Sequence, residues 1–163
     1  MSEMKTQVIK SLRRYRAIVS NKNMDRLEEV SRRYVVHVMK KAPLEACLLQ
    51  TPIVETWLTL ILEHKLLLVS LENLKNGTYF DFEYKNDHTH LSDLIRAYKI
   101  FFPELHEELK IFKDNRNKIS HFMHEKTLPT MNDVLQGDEL IKKLKQINKA
   151  LFDRLKSTQK GFK

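Results

Sequence analysis

One apolar stretch decides the fold of this chain: TPIVETWLTLILEHKLLLVSLENL, at positions 51–74. A helix over this stretch is apolar nearly all round, so other elements have to enclose it. Thr51 offers a capping hydroxyl, Pro52 suits the first turn of a helix, and Asn76 and Gly77 favour a stop. We therefore predict that a helix starts at Thr51 and Pro52 and is the most buried element.

Helical spacing continues on both sides of this stretch, which predicts an all-α protein. The further predicted helices cover residues 8–19, 24–38, 91–102, the segment after Pro103, and 138–156. Residues 130–137 are predicted to form a short helical turn or connector before the last helix. Residues 78–90 alternate aromatic and charged side chains and are predicted to form a loop, with a short β-ribbon as the alternative.

Composition limits the class of protein. With 163 residues, 42% of them hydrophobic, the chain suits a single domain over residues 1–163, and only 3 Gly and 4 Pro argue against a turn-rich β protein. One cysteine, Cys47, excludes an internal disulfide and fits a reducing compartment. Neither a signal peptide nor a membrane span is recognisable. We expect a soluble, cytoplasmic protein without membrane contact.

The net charge of +8 is concentrated at the two ends of the chain. Residues 1–41 carry +7, residues 138–163 carry +5, and the middle carries −4. A basic surface that follows a nucleic-acid backbone is one interpretation, and a solvated helix face is the other. The candidate residues are Arg13, Arg14, Arg16, Arg32, Arg33, Lys40 and Lys41.

The helix after Pro103 carries an arginine on its apolar side. Its stripe, with steps of three and four residues, consists of Leu105, Leu109, Phe112, Arg116, Ile119 and Met123. A charged side chain on a packing face is costly unless it is paired or binds an anion. Arg116 therefore indicates a pocket or an interface, unless its side chain extends past its neighbours into solvent.

Arg116 is followed closely by His121, and the two residue types suit phosphodiester chemistry. Arginine offers a fork of donors for phosphate oxygens, and the imidazole of histidine has a pKa of about 6.5. A second such pair, Arg32 and His37, lies in a helix with an apolar side and is interpreted as structural.

The sequence DNRNKISH at positions 114–121 resembles the signature motif of the HEPN superfamily. This resemblance implies a single-domain helical bundle of about five to six helices, with the motif on a late helix followed by one more. It also implies a metal-independent endoribonuclease that acts on RNA as a homodimer with facing motifs. Such a protein would be a toxin or defence effector with a regulatory or antitoxin partner. The alternative is a non-catalytic HEPN-like dimeric interaction or nucleotide-binding module.

The expected catalytic residues are Arg116, Asn117 and His121. His121 would transfer protons, Arg116 would stabilise charge on the phosphate, and Asn117 would orient His121 or bind a phosphate oxygen. Asp114 and His124 are candidates for a supporting role. Five residues on a helix correspond to a rotation of roughly 140°, so one regular helix cannot aim Arg116 and His121 at the same phosphate. Either the helix distorts, or two copies of the chain assemble the site.

No cofactor is expected, and the proposed cleavage leaves a 2′,3′-cyclic phosphate without any metal. A metal site remains an alternative on spacing alone. It would use four histidines: His88, His90, His121 and His124.

Overall fold

The structure is a computed structural model that describes residues 23–76, 91–121 and 128–161, and all the regular elements within these ranges are helical. The described helices are α1 (residues 23–39), α2 (Pro43–Lys75), α3 (Leu91–Phe101), the 3-10 turn Pro103–Leu105, α4 (His106–His121) and α5 (Met131–Lys160). The predicted all-α class is confirmed. The helix predicted over 8–19 and the loop predicted over 78–90 lie outside the described residues.

α2 is the central helix of the bundle, as its sequence predicts. Most of its side chains between Ile53 and Leu71 are buried, and they share one core with buried residues of α1, α3, α4 and α5. Truncating a fully buried leucine of such a core to alanine costs about 2–5 kcal/mol. None of the helices in the described part of the chain combines the length and the apolarity needed to cross a membrane.

A tight turn folds α1 back along α2. The Ala42 N–H donates to the His37 carbonyl at 3.0 Å, which is one of the hydrogen bonds of a Schellman helix end. Lys41 adopts the positive φ of 52° that this turn requires. Pro43 then takes the first position of α2, where its fixed φ suits a helix and its missing N–H costs nothing.

α5 runs parallel to α2 along most of its length. Three hydrogen bonds join the two helices at positions that increase together: Gln50 to the Val134 carbonyl (2.7 Å), His64 with Asn148 (2.8 Å), and Arg154 to Glu72 (2.6 Å). Parallel neighbours need a connection that brings the chain back to the start. α3 and α4 supply it.

The returning segment is a helix interrupted at Pro103. The Lys65 ammonium of α2 lies 5.7 Å from the ring centroid of Phe102, which places the junction of α3 and α4 beside the second half of α2. From there α4 runs antiparallel to α5, starting where Lys143 donates to both carboxylate oxygens of Glu108. The described helices thus form a four-membered bundle whose third member is α3 and α4 together.

The prediction that a helix starts at Thr51 and Pro52 is wrong. α2 begins at Pro43 and continues through Pro52. Pro52 lacks an N–H and removes one hydrogen bond from the helix. Burial of the residues around it keeps the chain helical, and the Thr51 hydroxyl is buried without a hydrogen-bond partner among the described residues. Tertiary packing therefore overrides the local start signal.

The segment 130–137 is predicted as a short helical turn or connector, and its separation from the last helix is wrong, because α5 is continuous from Met131 to Lys160. Thr130 and Asp133 form a capping box in which the Asp133 carboxylate accepts the Thr130 backbone N–H at 2.7 Å. Gly137 lies inside the helix. Its missing side chain makes room for a neighbouring helix, as described below.

Glu63 is an acidic side chain placed in the apolar middle of α2. One of its carboxylate oxygens is buried and accepts no hydrogen bond from the described residues. Burial raises the pKa of Glu63 from 4.5 to about 7. The carboxyl group is therefore neutral in the folded protein under mildly acidic conditions.

Glu63→Gln should stabilise the protein at pH 8 and have little effect at pH 4.5. Because the folded pKa lies above the unfolded one, the native protein binds the proton more tightly, and its stability falls as the pH rises from about 4.5 to about 7. The loss is about 1–3 kcal/mol after allowing for the exposed part of the carboxyl group. Urea unfolding of both proteins at several pH values measures it.

Glu45→Gln, at an exposed position of the same helix, is the matched control and should bring no gain at pH 8. Equal unfolding free energies for wild type and Glu63→Gln at pH 8 would show that the Glu63 carboxylate is solvated in the folded protein.

Candidate functional site

A cavity of about 660 Å³ separates α4 from the first halves of α2 and α5. It is open to solvent on one side. Its wall combines apolar, amide and charged side chains: Cys47, Gln50, Glu108, Ile111, Phe112, Asn115, Arg116, Lys118, Ile119, Leu128, Pro129, Asp133, Gln136, Gly137, Glu139 and Leu140. Arg116, the arginine of the motif at positions 114–121, is one of these lining residues.

The cavity exists because α4 offers few apolar groups to its neighbours. Within the helix only Leu109 is buried, whereas Phe112 and Ile119 are half-buried and line the cavity. Arg116 lies between these two on the same side of the helix, as the spacing of the stripe predicts, and it also lines the cavity. The arginine thus faces a pocket in the described structure.

The guanidinium of Arg116 is exposed to solvent. Its Nη1 donates to the Asn117 side-chain oxygen at 3.3 Å, and no carboxylate of the described residues lies within 4 Å of it. Arg26 on α1 is likewise without a carboxylate partner among the described residues, whereas four others are paired: Arg32, Arg33, Arg96 and Arg154. Arg116 is therefore free to bind an anion at the edge of the cavity.

The acidic side chains of the cavity wall, in contrast, already have partners. Lys143 binds Glu108, and Lys142 binds Glu139 at 2.7 Å. The hydrogen bond from Lys142 lowers the pKa of the exposed Glu139 carboxyl group. Asp133 accepts the capping hydrogen bonds at the start of α5. Arg116 and Lys118 are the basic side chains of the cavity wall, and neither has a carboxylate within 4 Å among the described residues.

A buried amide network forms the inner end of the cavity. The Gln50 side chain is 2% exposed, and its Nε2 donates to the Val134 carbonyl at 2.7 Å and to the Tyr34 hydroxyl at 3.1 Å. The Tyr34 hydroxyl in turn donates to Asp138 at 2.6 Å. Burial, followed by this bond to Asp138, raises the pKa of Tyr34 above its usual range.

Gly137 allows the Gln50 amide to lie directly against α5. A Cβ atom at position 137 would overlap the amide group of Gln50, which its two hydrogen bonds hold in place. The close contact between α2 and α5 therefore requires a glycine at position 137.

Cys47 lines the cavity but is a poor nucleophile. The thiol is buried, and burial, with a smaller contribution from the Asp133 carboxylate, raises its pKa to about 11. Attack by a cysteine thiolate is therefore disfavoured in this cavity at neutral pH.

His121 lies apart from Arg116 within one chain. It occupies the last turn of α4, is exposed, and is not among the residues that line the cavity. The described structure places no hydrogen bond between these two side chains, in accord with the rotation of roughly 140° between them on a regular helix. Asp114 is exposed on the same helix, and His124 lies outside the described residues.

The four-histidine metal site, the alternative based on spacing, does not occur within the described part of the chain. His88, His90 and His124 lie outside it, and within residues 23–76, 91–121 and 128–161 no three histidine, cysteine or acidic side chains are grouped as metal ligands.

The basic surface predicted near the beginning of the chain is only partly described. Arg13, Arg14 and Arg16 lie outside the described residues. On α1, Arg32 and Arg33 pair with Glu28 and Glu29, which reduces the positive potential there.

Gln50, Tyr34 and Gly137 were not expected to take part in a site. The sequence signal for Gln50 is weak, because a single amide in an apolar helix fits many environments. The position of Gly137 opposite Gln50, 87 residues away along the chain, is a product of the tertiary structure.

Comparison of the chain with protein-family models, with curated proteins and with solved structures finds no match in any of the three. The resemblance to the HEPN superfamily therefore rests on the motif DNRNKISH at positions 114–121.

Gly137→Ala should destabilise the protein by about 1–3 kcal/mol, because the new methyl group displaces the Gln50 amide from its hydrogen bonds. Alanine is otherwise favoured over glycine inside a helix by about 1 kcal/mol. In a Gln50→Ala background, where the overlap is gone, the same substitution should stabilise the protein. Urea unfolding of the four proteins gives this double-mutant cycle. A stabilising effect of Gly137→Ala in the wild-type background would contradict the close contact.

Proposed function

We propose that this protein is a metal-independent endoribonuclease of the HEPN type, which acts as a homodimer and leaves a 2′,3′-cyclic phosphate. The observation that carries this proposal is the exposed guanidinium of Arg116, which has no carboxylate partner among the described residues and stands at the edge of a cavity. A free guanidinium at a concave surface is a suitable phosphate-binding group.

The separation of Arg116 and His121 within one chain supports a site shared by two chains. Both side chains are exposed on α4, so a second copy facing this helix would bring its own His121 to the Arg116 of the first. A twofold axis then creates two equivalent sites, each with one arginine and one histidine. Asn117, half-buried beside Arg116, would bind a phosphate oxygen or orient the histidine.

In this mechanism the ribose 2′-oxygen attacks the adjacent phosphorus and the bond from phosphorus to the 5′-oxygen breaks. His121 accepts the proton of the 2′-hydroxyl, and a second proton reaches the departing 5′-oxygen from solvent or from the histidinium. Arg116 binds the phosphate oxygens on which negative charge accumulates. DNA, which lacks the 2′-hydroxyl, would not be cleaved.

Exposed lysines near Arg116 would attract RNA to this side of the molecule. On α4, Lys118 lines the cavity together with Arg116, and Lys110 is also exposed. Neither lysine has a carboxylate partner among the described residues. Contacts of this kind bind the backbone without reading sequence and weaken as salt is added.

An RNA-cleaving enzyme of this kind fits a cytoplasmic toxin or defence effector whose activity a partner protein restrains. The accessibility of α4 is compatible with such control, because a protein bound to this helix would cover both Arg116 and His121.

A second candidate function is a non-catalytic interaction module. It is favoured by exposed apolar side chains that line the cavity, where Ile111 is 56% and Leu128 68% exposed. The same motif would then serve as a contact surface.

Wild-type protein should cleave single-stranded RNA in the presence of EDTA and yield fragments that end in a 2′,3′-cyclic phosphate, as identified by mass spectrometry. His121→Ala should reduce the rate about 10²–10⁴-fold and Arg116→Ala about 10²–10³-fold, because they remove the proton-transfer group and the phosphate ligand. Arg32→Ala and His37→Ala, in the other arginine–histidine pair of the sequence, are the matched controls and should retain activity.

Mixing the two inactive variants tests the composite site. A dimer of Arg116→Ala with His121→Ala contains one intact site, so an equal mixture that exchanges subunits should recover about a quarter of the wild-type activity. Activity lost in both variants but never recovered on mixing would assign the two residues to one chain. RNA left intact by the wild type would favour the interaction module.

A further inference from the structure

We infer that the cavity between α2, α4 and α5 is a binding pocket for one RNA base that carries an exocyclic amino group, held next to the phosphate that Arg116 contacts. This inference rests on the proposed ribonuclease function and gives it a source of substrate preference. Adenine, cytosine and guanine have such an amino group, and uracil does not.

The size and the walls of the cavity suit a nucleobase. Its volume of about 660 Å³ falls within the range of small-molecule sites, about 300–1,000 Å³. The Phe112 ring lines one side and offers a face on which a base can stack. Ile119 and Leu140 add apolar surface for the rest of the base.

The inner end of the cavity holds an acceptor in a fixed orientation. Both N–H groups of the Gln50 amide are used, one by the Val134 carbonyl and one by the Tyr34 hydroxyl. Rotating the amide by 180° would place its oxygen against the Val134 carbonyl oxygen, so this orientation is set by the network. Gln50 Oε1 receives no hydrogen bond from the described residues and is left to accept one from a ligand.

Asp133 provides a second acceptor on the cavity wall. Its Oδ2 accepts from the Thr130 backbone N–H and hydroxyl at 2.7 and 3.0 Å, and its Oδ1 has no donor among the described residues. Two acceptors on the cavity wall, one from α2 and one from α5, select a ligand that donates N–H groups.

The charge of the cavity fixes the direction in which a nucleotide enters. Arg116 and Lys118 line the wall contributed by α4, whereas the two acceptors belong to α2 and α5. The base would enter toward Gln50 while its phosphate stays with Arg116. A purely apolar ligand, such as an acyl chain, would leave the Gln50 oxygen buried without a donor, which is unfavourable.

The test is calorimetric titration of the full chain with adenosine, cytidine, guanosine and uridine monophosphates. The three amino-bearing nucleotides should bind at least about fivefold more tightly than the uridine nucleotide, because uracil offers the two acceptors only its single N3–H whereas an amino group offers two N–H groups. Phe112→Leu should weaken all four by about fivefold or more because the stacking surface is lost.

Ile119→Trp fills the cavity and should abolish binding, whereas Ile100→Trp, at a position of α3 that is 77% exposed, should bind as the wild type does. Circular dichroism of each variant shows whether it folds, and Phe112→Leu, which nearly preserves volume, remains informative if Ile119→Trp does not. Equal affinities for all four nucleotides, or unchanged binding in both cavity variants, would overturn the inference.

Nucleotide binding and RNA cleavage are separate measurements, so the two proposals can fail independently of each other. RNA cleavage combined with equal binding of all four nucleotides would support the ribonuclease proposal and contradict the base pocket. Selective nucleotide binding that requires Phe112, without any cleavage of RNA, would contradict the ribonuclease proposal and support the base pocket.

Discussion

The apolar circumference of α2 is the constraint on which the whole bundle depends. A helix that is apolar on one stripe needs one neighbour, but α2 is buried on nearly all sides and needs neighbours all around it. α1 folds back along it through a tight turn, α5 lies parallel to it, and α3 with α4 closes the remaining side. The contact with α5 is especially close, since Gly137 lets the Gln50 amide reach the backbone of the neighbouring helix.

The enclosure is incomplete on the side of α4, and this gives the molecule its candidate site. α3 and α5 each bury several apolar residues, whereas α4 buries Leu109 alone. At a position where the packing face of an ideal bundle helix would have another apolar side chain, α4 has Arg116. A guanidinium packed against α2 and α5 would need a buried partner. α4 therefore does not pack closely against these two helices, and a cavity remains. A single arginine in an otherwise apolar stripe thus accounts for both the cavity and the phosphate-binding group at its edge.

The helical architecture was largely predictable from the sequence, since long apolar periodicities determine which segments fold as helices. The predicted helices over 24–38 and 91–102 correspond to α1 and α3 of the structure. Errors arose at Pro52 and Gly137, where local signals favoured a break and contacts from another helix maintained regular structure. The unusual position of Arg116 was visible in the spacing of its stripe. The cavity was not, because its volume depends on distances between helices that no local pattern specifies.

The break at Pro103 between α3 and α4 affects the local stability of α4. The backbone hydrogen-bond ladder is not continuous from α3 into α4. α4 contacts the core through the buried Leu109 and the half-buried Phe112 and Ile119, and it contacts α5 through the exposed ion pair between Glu108 and Lys143. Such an ion pair contributes about 1 kcal/mol or less. α4 can therefore detach or unwind at a lower free-energy cost than α2 or α5, while the remaining helices keep their amide protons protected from exchange. The segment that carries Arg116, Asn117 and His121 should therefore exchange its amide protons through local opening more readily than α2 or α5 does.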